Sequence, residues 1–244
     1  MGATGTGKSN LIDTLTGQFG KRVGHKLQAC TSEVSAVRIK SHPQYGSRLV
    51  LVDTPGFNDT NKTDLEILEI ISKWLVQLGD AGVFLSGILY LHRITDTRLV
   101  GSDCRSMAMF TEVCGKEAAK IVRFVTTKWD EESEEIGEQR EAQLKAGHWS
   151  QMLLHGASTA RFLNTPESAW EVIEIILSNL PKAAIMLELQ QEILKSKRTL
   201  METKAAQALY PPNGLAEQSS ASPTRLYGHI GYVFMSVCFL GKWR

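Results

Sequence analysis

Long apolar runs are missing from this chain of 244 residues: nowhere do about 20 consecutive apolar residues occur, so no segment is suited to cross a bilayer as a helix. An excess of charge is missing too. Lys and Arg number 27 against 26 Asp and Glu, a formal net charge of +1, which argues against a general nucleic-acid-binding surface. Cysteine is scarce. The four present, Cys30, Cys104, Cys114 and Cys238, form no C-x-x-C pair or other metal-ligand spacing, which excludes a zinc ribbon or a disulfide scaffold and points to reduced thiols in the cytoplasm. A glycine-rich loop, not a secretory leader, occupies the first residues.

That loop is the most informative stretch. Gly2-Ala3-Thr4-Gly5-Thr6-Gly7-Lys8-Ser9 fits G-x-x-x-x-G-K-[ST], in which glycines let successive N–H groups converge on phosphates at a helix N-terminus. Lys8 is expected to bridge the β- and γ-phosphates, Ser9 to ligate Mg²⁺, and Asn10 to follow in the same nucleotide-binding turn. Such a loop normally leaves a buried central strand. Only Met1 precedes it here, so the expected sheet has its first strand absent from the chain.

Downstream, strands and helices alternate. Helix is expected from residue 8 to 19, an edge strand at 35–40, and a buried strand at Leu49-Val50-Leu51-Val52. A capping box at Thr63-Asp64-Leu65-Glu66 opens the next helix. Strands at 83–91 and 121–127 flank a helix at 103–114, Ser133 caps another helix, and 152–155 reads as the last strand. Thr165-Pro166-Glu167 opens a helix that stops at Pro181. The pattern predicts an α/β fold of three layers, a mostly parallel sheet with helices on both faces. A domain over 1–180 is followed by an amphipathic helix at 182–209 and, over 210–244, by a linker and an apolar tail expected to be poorly ordered. The tail has no evident place in a finished domain; alternatively, segment 232–237 fills the vacant central-strand position.

Two further motifs carry chemistry. Asp53-Thr54-Pro55-Gly56 ends a buried strand, which places Asp53 to hold Mg²⁺ through water and the Gly56 N–H to sense a γ-phosphate. Thr126-Thr127-Lys128-Trp129-Asp130 matches [NT]-K-x-D. The Asp130 carboxylate can accept from guanine N1–H and N2–H₂ together, a donor pair that adenine lacks, and the Lys128 stem is expected along the base or the phosphate loop.

In that order, the three motifs resemble the guanine-nucleotide-binding domain of the translation-factor-related P-loop GTPases. The strings GATGTGKS, VDTPGF and GILYLHRI resemble the septin-like and immune-associated branch, particularly its fungal G-domain relatives. The resemblance implies GTP/GDP and Mg²⁺ as ligands. It puts a switch threonine at Thr31, with Ser32 as the alternative, makes Lys8, Thr31 and Gly56 the catalytic set, and assigns a base-contacting N–H to Ser158. Thr127 stands where Asn is more usual. Phe57 stands where many relatives carry a water-orienting glutamine, so hydrolysis is expected to be slow, or to be supported by a homodimer across the nucleotide face; pairing through helix 182–209 is a second possible contact. Three functions are open: a GTP-driven switch, a GTP-binding scaffold with negligible hydrolysis, or a truncated domain that does not bind.

Overall fold

A computed structural model describes residues 1–18, 34–40, 42–59, 61–97 and 101–210, together with the backbone of 236–239. Thr31 and Ser32 lie outside the described residues, as does 211–235. Six strands form one sheet in the order β1-β2-β6-β3-β4-β5, where β1 is Ser35–Arg38, β2 Leu49–Asp53, β3 Gly87–Arg93, β4 Val122–Thr127, β5 Ser158–Arg161 and β6 Ser236–Phe239. β3, β4 and β5 are parallel neighbours, and β1 pairs antiparallel with β2. The fold is α/β, with a parallel three-stranded part and helices packed on the sheet, as the alternating pattern predicted.

The middle of the sheet holds a reversed strand. β6 runs antiparallel to both neighbours, pairing Cys238 with Val50 and Phe239 with Leu49 on one side, and Val237 with Gly87 and Ser236 with Ile88 on the other. Further along the same position lies the start of the chain. The Met1 amine donates to the Leu89 carbonyl, the Leu91 N–H donates to the Met1 carbonyl at 2.9 Å, and Ala3 bridges to Phe57 in parallel. Two segments from opposite ends of the sequence thus share one strand position; of the segment 232–237 read as its alternative occupant, residues 236 and 237 lie in β6 and 232–235 lie outside the described residues.

β2 is buried throughout and β4 likewise, which is why both read as unbroken apolar runs. Helix α1 (Lys8–Thr16) turns Leu11, Ile12 and Leu15 into the core, and α2 (Asp64–Asp80) starts at the expected capping box of Thr63 and Glu66. Helices α3 (Gly101–Ala118), α4 (Glu134–Ala146), α5 (Ser150–Leu154) and α6 (Pro166–Leu177) follow in order, α6 capped by Thr165 and Ser168.

Two expected elements are corrected. Residues 152–155 are not a strand but lie in and just after α5; the preceding Trp149 is buried and stacks on Phe124, with ring centroids 4.7 Å apart, so the apolar side chains here line a helical turn. Segment 182–209 is not one amphipathic helix. It divides into α7 (Glu188–Gln190), a wider π-type turn over Gln191–Lys195, a short turn at Leu200–Glu202 and α8 (Lys204–Leu209), with Lys197 in the left-handed region at φ 55°. Buried polar ties impose the break. The Gln190 side chain donates to the Leu75 carbonyl at 2.7 Å, and buried Glu192 accepts from the Arg198 guanidinium at 2.5 Å and from the Lys204 N–H at 3.1 Å. α7 and α8 pack on α2 and α3, burying Leu189, Ala205, Ala206 and Leu209, so the apolar face needed for helix pairing is already covered.

Candidate functional site

β2, β3, β4 and β5 all point their carboxyl ends to one edge of the sheet, where α/β folds place ligands. The phosphate loop lies on that edge. Gly2 sits at φ 130°, where an added Cβ would come within 2.3 Å of the Leu91 carbonyl oxygen, so only glycine lets the loop lie this close to β3. Gly56 closes the other side. A Cβ there would meet Thr4 Oγ1 at 2.6 Å and the Thr4 nitrogen at 2.7 Å. Main-chain bonds from Thr4 N–H to Phe57 O, 2.9 Å, and from Phe57 N–H to Gly2 O, 3.1 Å, zip the D-T-P-G turn to the loop.

Lys8 opens α1 and is buried inside this loop, its ammonium donating to the carbonyls of Gly2 at 3.1 Å and Ala3 at 2.7 Å. Burial pushes its pKa down to about 8, opposed by Asp53 and Asp59 and assisted by the Arg93 guanidinium. Ser9 Oγ donates to Asp53 Oδ2 at 2.5 Å, so the last residue of β2 and the start of α1 present two oxygens side by side. These hard donors fit Mg²⁺, which takes one or two protein oxygens and completes its shell with phosphate oxygens and water. Among the described residues no cluster of three or more His, Cys, Asp or Glu is arranged to hold a metal.

The base-recognition element joins the same edge. Thr127 Oγ1, at the end of β4, donates to the Thr6 carbonyl at 3.0 Å, linking this element directly to the phosphate loop. Lys128 adopts φ 64° and its ammonium pairs with Glu131 at 2.5 Å, which directs it to a neighbouring carboxylate rather than to the loop. Asp130 Oδ2 accepts from Asn164 Nδ2 at 3.4 Å, while Asn164 Oδ1 accepts from Asn10 Nδ2 at 2.8 Å.

Gly2 through Asn10, Asp53, Gly56, Thr127, Lys128 and Asp130 are therefore gathered at one edge. Ser158 is not. It begins β5 and stands in register with Arg123 at the start of β4, at the far end of the sheet from Thr127. The error follows from the misplaced last strand. The residue that reaches Asp130 beyond β5 is Asn164, in the left-handed region at φ 61°, a conformation Asn tolerates; correct placement of β5 was the signal needed to find it. Phe57 is completely buried, so this position serves the core and not the solvent.

Fold and edge together define an α/β domain that carries a phosphate-loop motif at the carboxyl edge of its sheet. Residues 1–98 match the family model described as 50S ribosome-binding GTPase. The fold is shared with solved structures. One, of the chloroplast translocon components atToc33 and psToc159, is 20% identical with a TM-score of 0.59, covering 76% of this chain and 84% of that one. Toc33 from Arabidopsis thaliana with GDP and Mg²⁺ is 19% identical, TM-score 0.53, covering 82% and 84%. A bacterial selenocysteine-specific elongation factor is 18% identical, TM-score 0.50, covering 74% of this chain and 28% of that one. No curated protein matches by sequence.

Proposed function

We propose that this chain binds GTP and GDP with Mg²⁺ and works as a switch that hydrolyses GTP slowly. The observation that carries the reading is that three motifs far apart in sequence meet within hydrogen-bond distance: Ser9 with Asp53 and Thr127 with Thr6. Lys8 and the loop N–H groups bind the β- and γ-phosphates, Gly56 offers an N–H to the γ-phosphate, and Asp130 accepts from the guanine edge. Ser9 and Asp53 would hold Mg²⁺, which would supply neutralisation of the phosphate charge. Water attacks the γ-phosphorus, the bond to the β–γ bridging oxygen breaks, and that oxygen leaves with the electron pair as GDP. Thr31, outside the described residues, is the switch threonine of this reading, with Ser32 as its alternative.

Buried Phe57 favours a second reading, a GTP-binding module whose hydrolysis needs a partner, because it has no polar atom to orient water. In the structural neighbours atToc33 and psToc159, dimerisation is important for the GTPase activity. A homodimer across the nucleotide face extends that idea to this chain. Assignment to the septin-like and immune-associated branch, with its fungal relatives, rests on the strings GATGTGKS, VDTPGF and GILYLHRI. A cytoplasmic address rests on cysteine usage, Cys104 and Cys114 being free thiols. Among the described residues no helix is long and apolar enough to cross a membrane.

Calorimetry with GTP, GDP and ATP in Mg²⁺ tests the proposal. Binding of both guanine nucleotides without ATP supports it, and no binding of any of the three overturns it. Turnover at high and low protein concentration then separates the switch from the partner-dependent module.

A further inference from the structure

Beside the base-recognition element lies a closed ring of side chains that no motif predicts. Trp129, between Lys128 and Asp130, donates its indole N–H to Thr126 Oγ1 at 3.1 Å. Thr126 Oγ1 in turn approaches Glu141 Oε1 at 3.2 Å. Glu141, buried on α4, accepts from the Arg161 guanidinium at 2.8 Å through NH2 and 3.2 Å through Nε, and from Lys145 at 2.9 Å. The Arg161 guanidinium carbon stands 4.2 Å from the Trp129 ring centre, which closes the ring. α4 touches the indole as well: a Cβ at Gly137 would lie 2.6 Å from its Cζ3.

An indole fixed at its N–H, against a helix and under a guanidinium has one orientation, and Asp130 is the next residue along the chain. We infer that Arg161, braced by Glu141, is a positioning residue that holds Trp129 so that Asp130 meets the guanine N1–H and 2-amino group together. The inference rests on the guanine-binding reading above. Its chemistry concerns selectivity: two acceptor contacts from one carboxylate need angular precision, whereas phosphate binding by the loop does not depend on this indole.

Inosine diphosphate, which lacks the 2-amino group, separates the two. In the full chain with Mg²⁺, the ratio of the inosine to the guanosine diphosphate dissociation constant is measured for wild type, Arg161→Ala, Arg161→Lys and Glu141→Gln. The expected result is a wild-type preference for guanosine that shrinks at least threefold in Arg161→Ala and Glu141→Gln and recovers partly in Arg161→Lys, with inosine diphosphate, which keeps N1–H, weakened less than guanosine diphosphate. A ratio unchanged in folded Arg161→Ala and Glu141→Gln overturns the inference while the guanine reading stands. Should Arg161→Ala fail to fold, Trp129→Phe, which keeps a ring but loses the N–H, decides in the same way. Equal loss of both nucleotides in these variants marks a merely structural role and also overturns it. Wild-type protein that binds neither nucleotide overturns the guanine reading and this inference with it.

Discussion

The hydroxyl of Thr127 donates to the carbonyl of Thr6 across 3.0 Å, so the end of β4 is bonded directly to the phosphate loop. Thr6 is fully buried, and its carbonyl has no access to water as a substitute partner. Replacing Thr127 with Val keeps the shape and removes the donor. An orphaned buried carbonyl costs about 1–3 kcal/mol, so Thr127→Val is expected to weaken GDP about 10-fold and to lower the melting temperature. Thr127→Ser, which retains the hydroxyl, should stay near wild type in the same titration.

Lys8 sets a pH dependence of binding. Its folded pKa is lowered to about 8 from 10.5, so above about pH 8 the empty site loses the proton that phosphate needs. Bound phosphate favours the ammonium form, so nucleotide binding near pH 8–9 is expected to take up a proton. Calorimetry of GDP binding at pH 8.5 in two buffers of different ionisation enthalpy reads that uptake directly. Without nucleotide the sign for stability is opposite: between about pH 8 and 10.5 the unfolded chain holds more protons at Lys8, so this group's contribution to stability rises with pH.

Glu141 governs acid behaviour. Burial works against its charge, but hydrogen bonds from Arg161 and Lys145 outweigh that and hold its pKa below the ordinary 4.5. A carboxylate with a depressed folded pKa stabilises the fold fully above its unfolded value and loses that contribution as pH falls through the folded one. Melting temperature should therefore decline below about pH 4.5 more steeply in wild type than in Glu141→Gln. Parallel curves for the two proteins would remove Glu141 from the account.

The reversed strand β6 gives a fourth prediction. Proline at positions 237 and 238 removes two backbone donors from the middle of the sheet, where proline is not tolerated. At about 1 kcal/mol per lost ladder bond, and about 2–4 °C per kcal/mol for a domain of this size, the double variant should melt roughly 4–8 °C lower. An unchanged melting curve would show that β6 contributes nothing to the sheet.

Much of this architecture was legible because local chemistry and tertiary role agree. β2 reads as a strand because Leu49 through Val52 are all buried, and the box at Thr63 and the Thr165-Pro166 opening mark helix starts because both threonine hydroxyls do accept the N3 amides. The misreadings have a common cause. Residues 152–155 and 182–209 are apolar or helix-forming in composition, but the stacking of Trp149 on Phe124 and the buried ties of Gln190 and Glu192 decide their shape, and those partners are distant in sequence. Asn164 and Arg161 escaped notice for the same reason. Each gains meaning from side chains 20 or more positions away, Arg161 from Glu141 and Asn164 from Asp130 and Asn10.

The sharing of one strand position by the first residues and by β6 also fixes an order of events in folding. Pairings between β3, β4 and β5 span modest sequence separations and bring their own helices, so they can form early, whereas the β2–β6–β3 arrangement closes one of the longest loops this chain allows. The phosphate loop is bonded to β3 through Met1 and to the turn after β2 through Phe57, while β6 fills the rest of the same position between β2 and β3. Refolding followed by a reporter at β6 is therefore expected to lag behind refolding followed by helical circular dichroism, and the interval between the two signals is the time β6 takes to reach its place between β2 and β3.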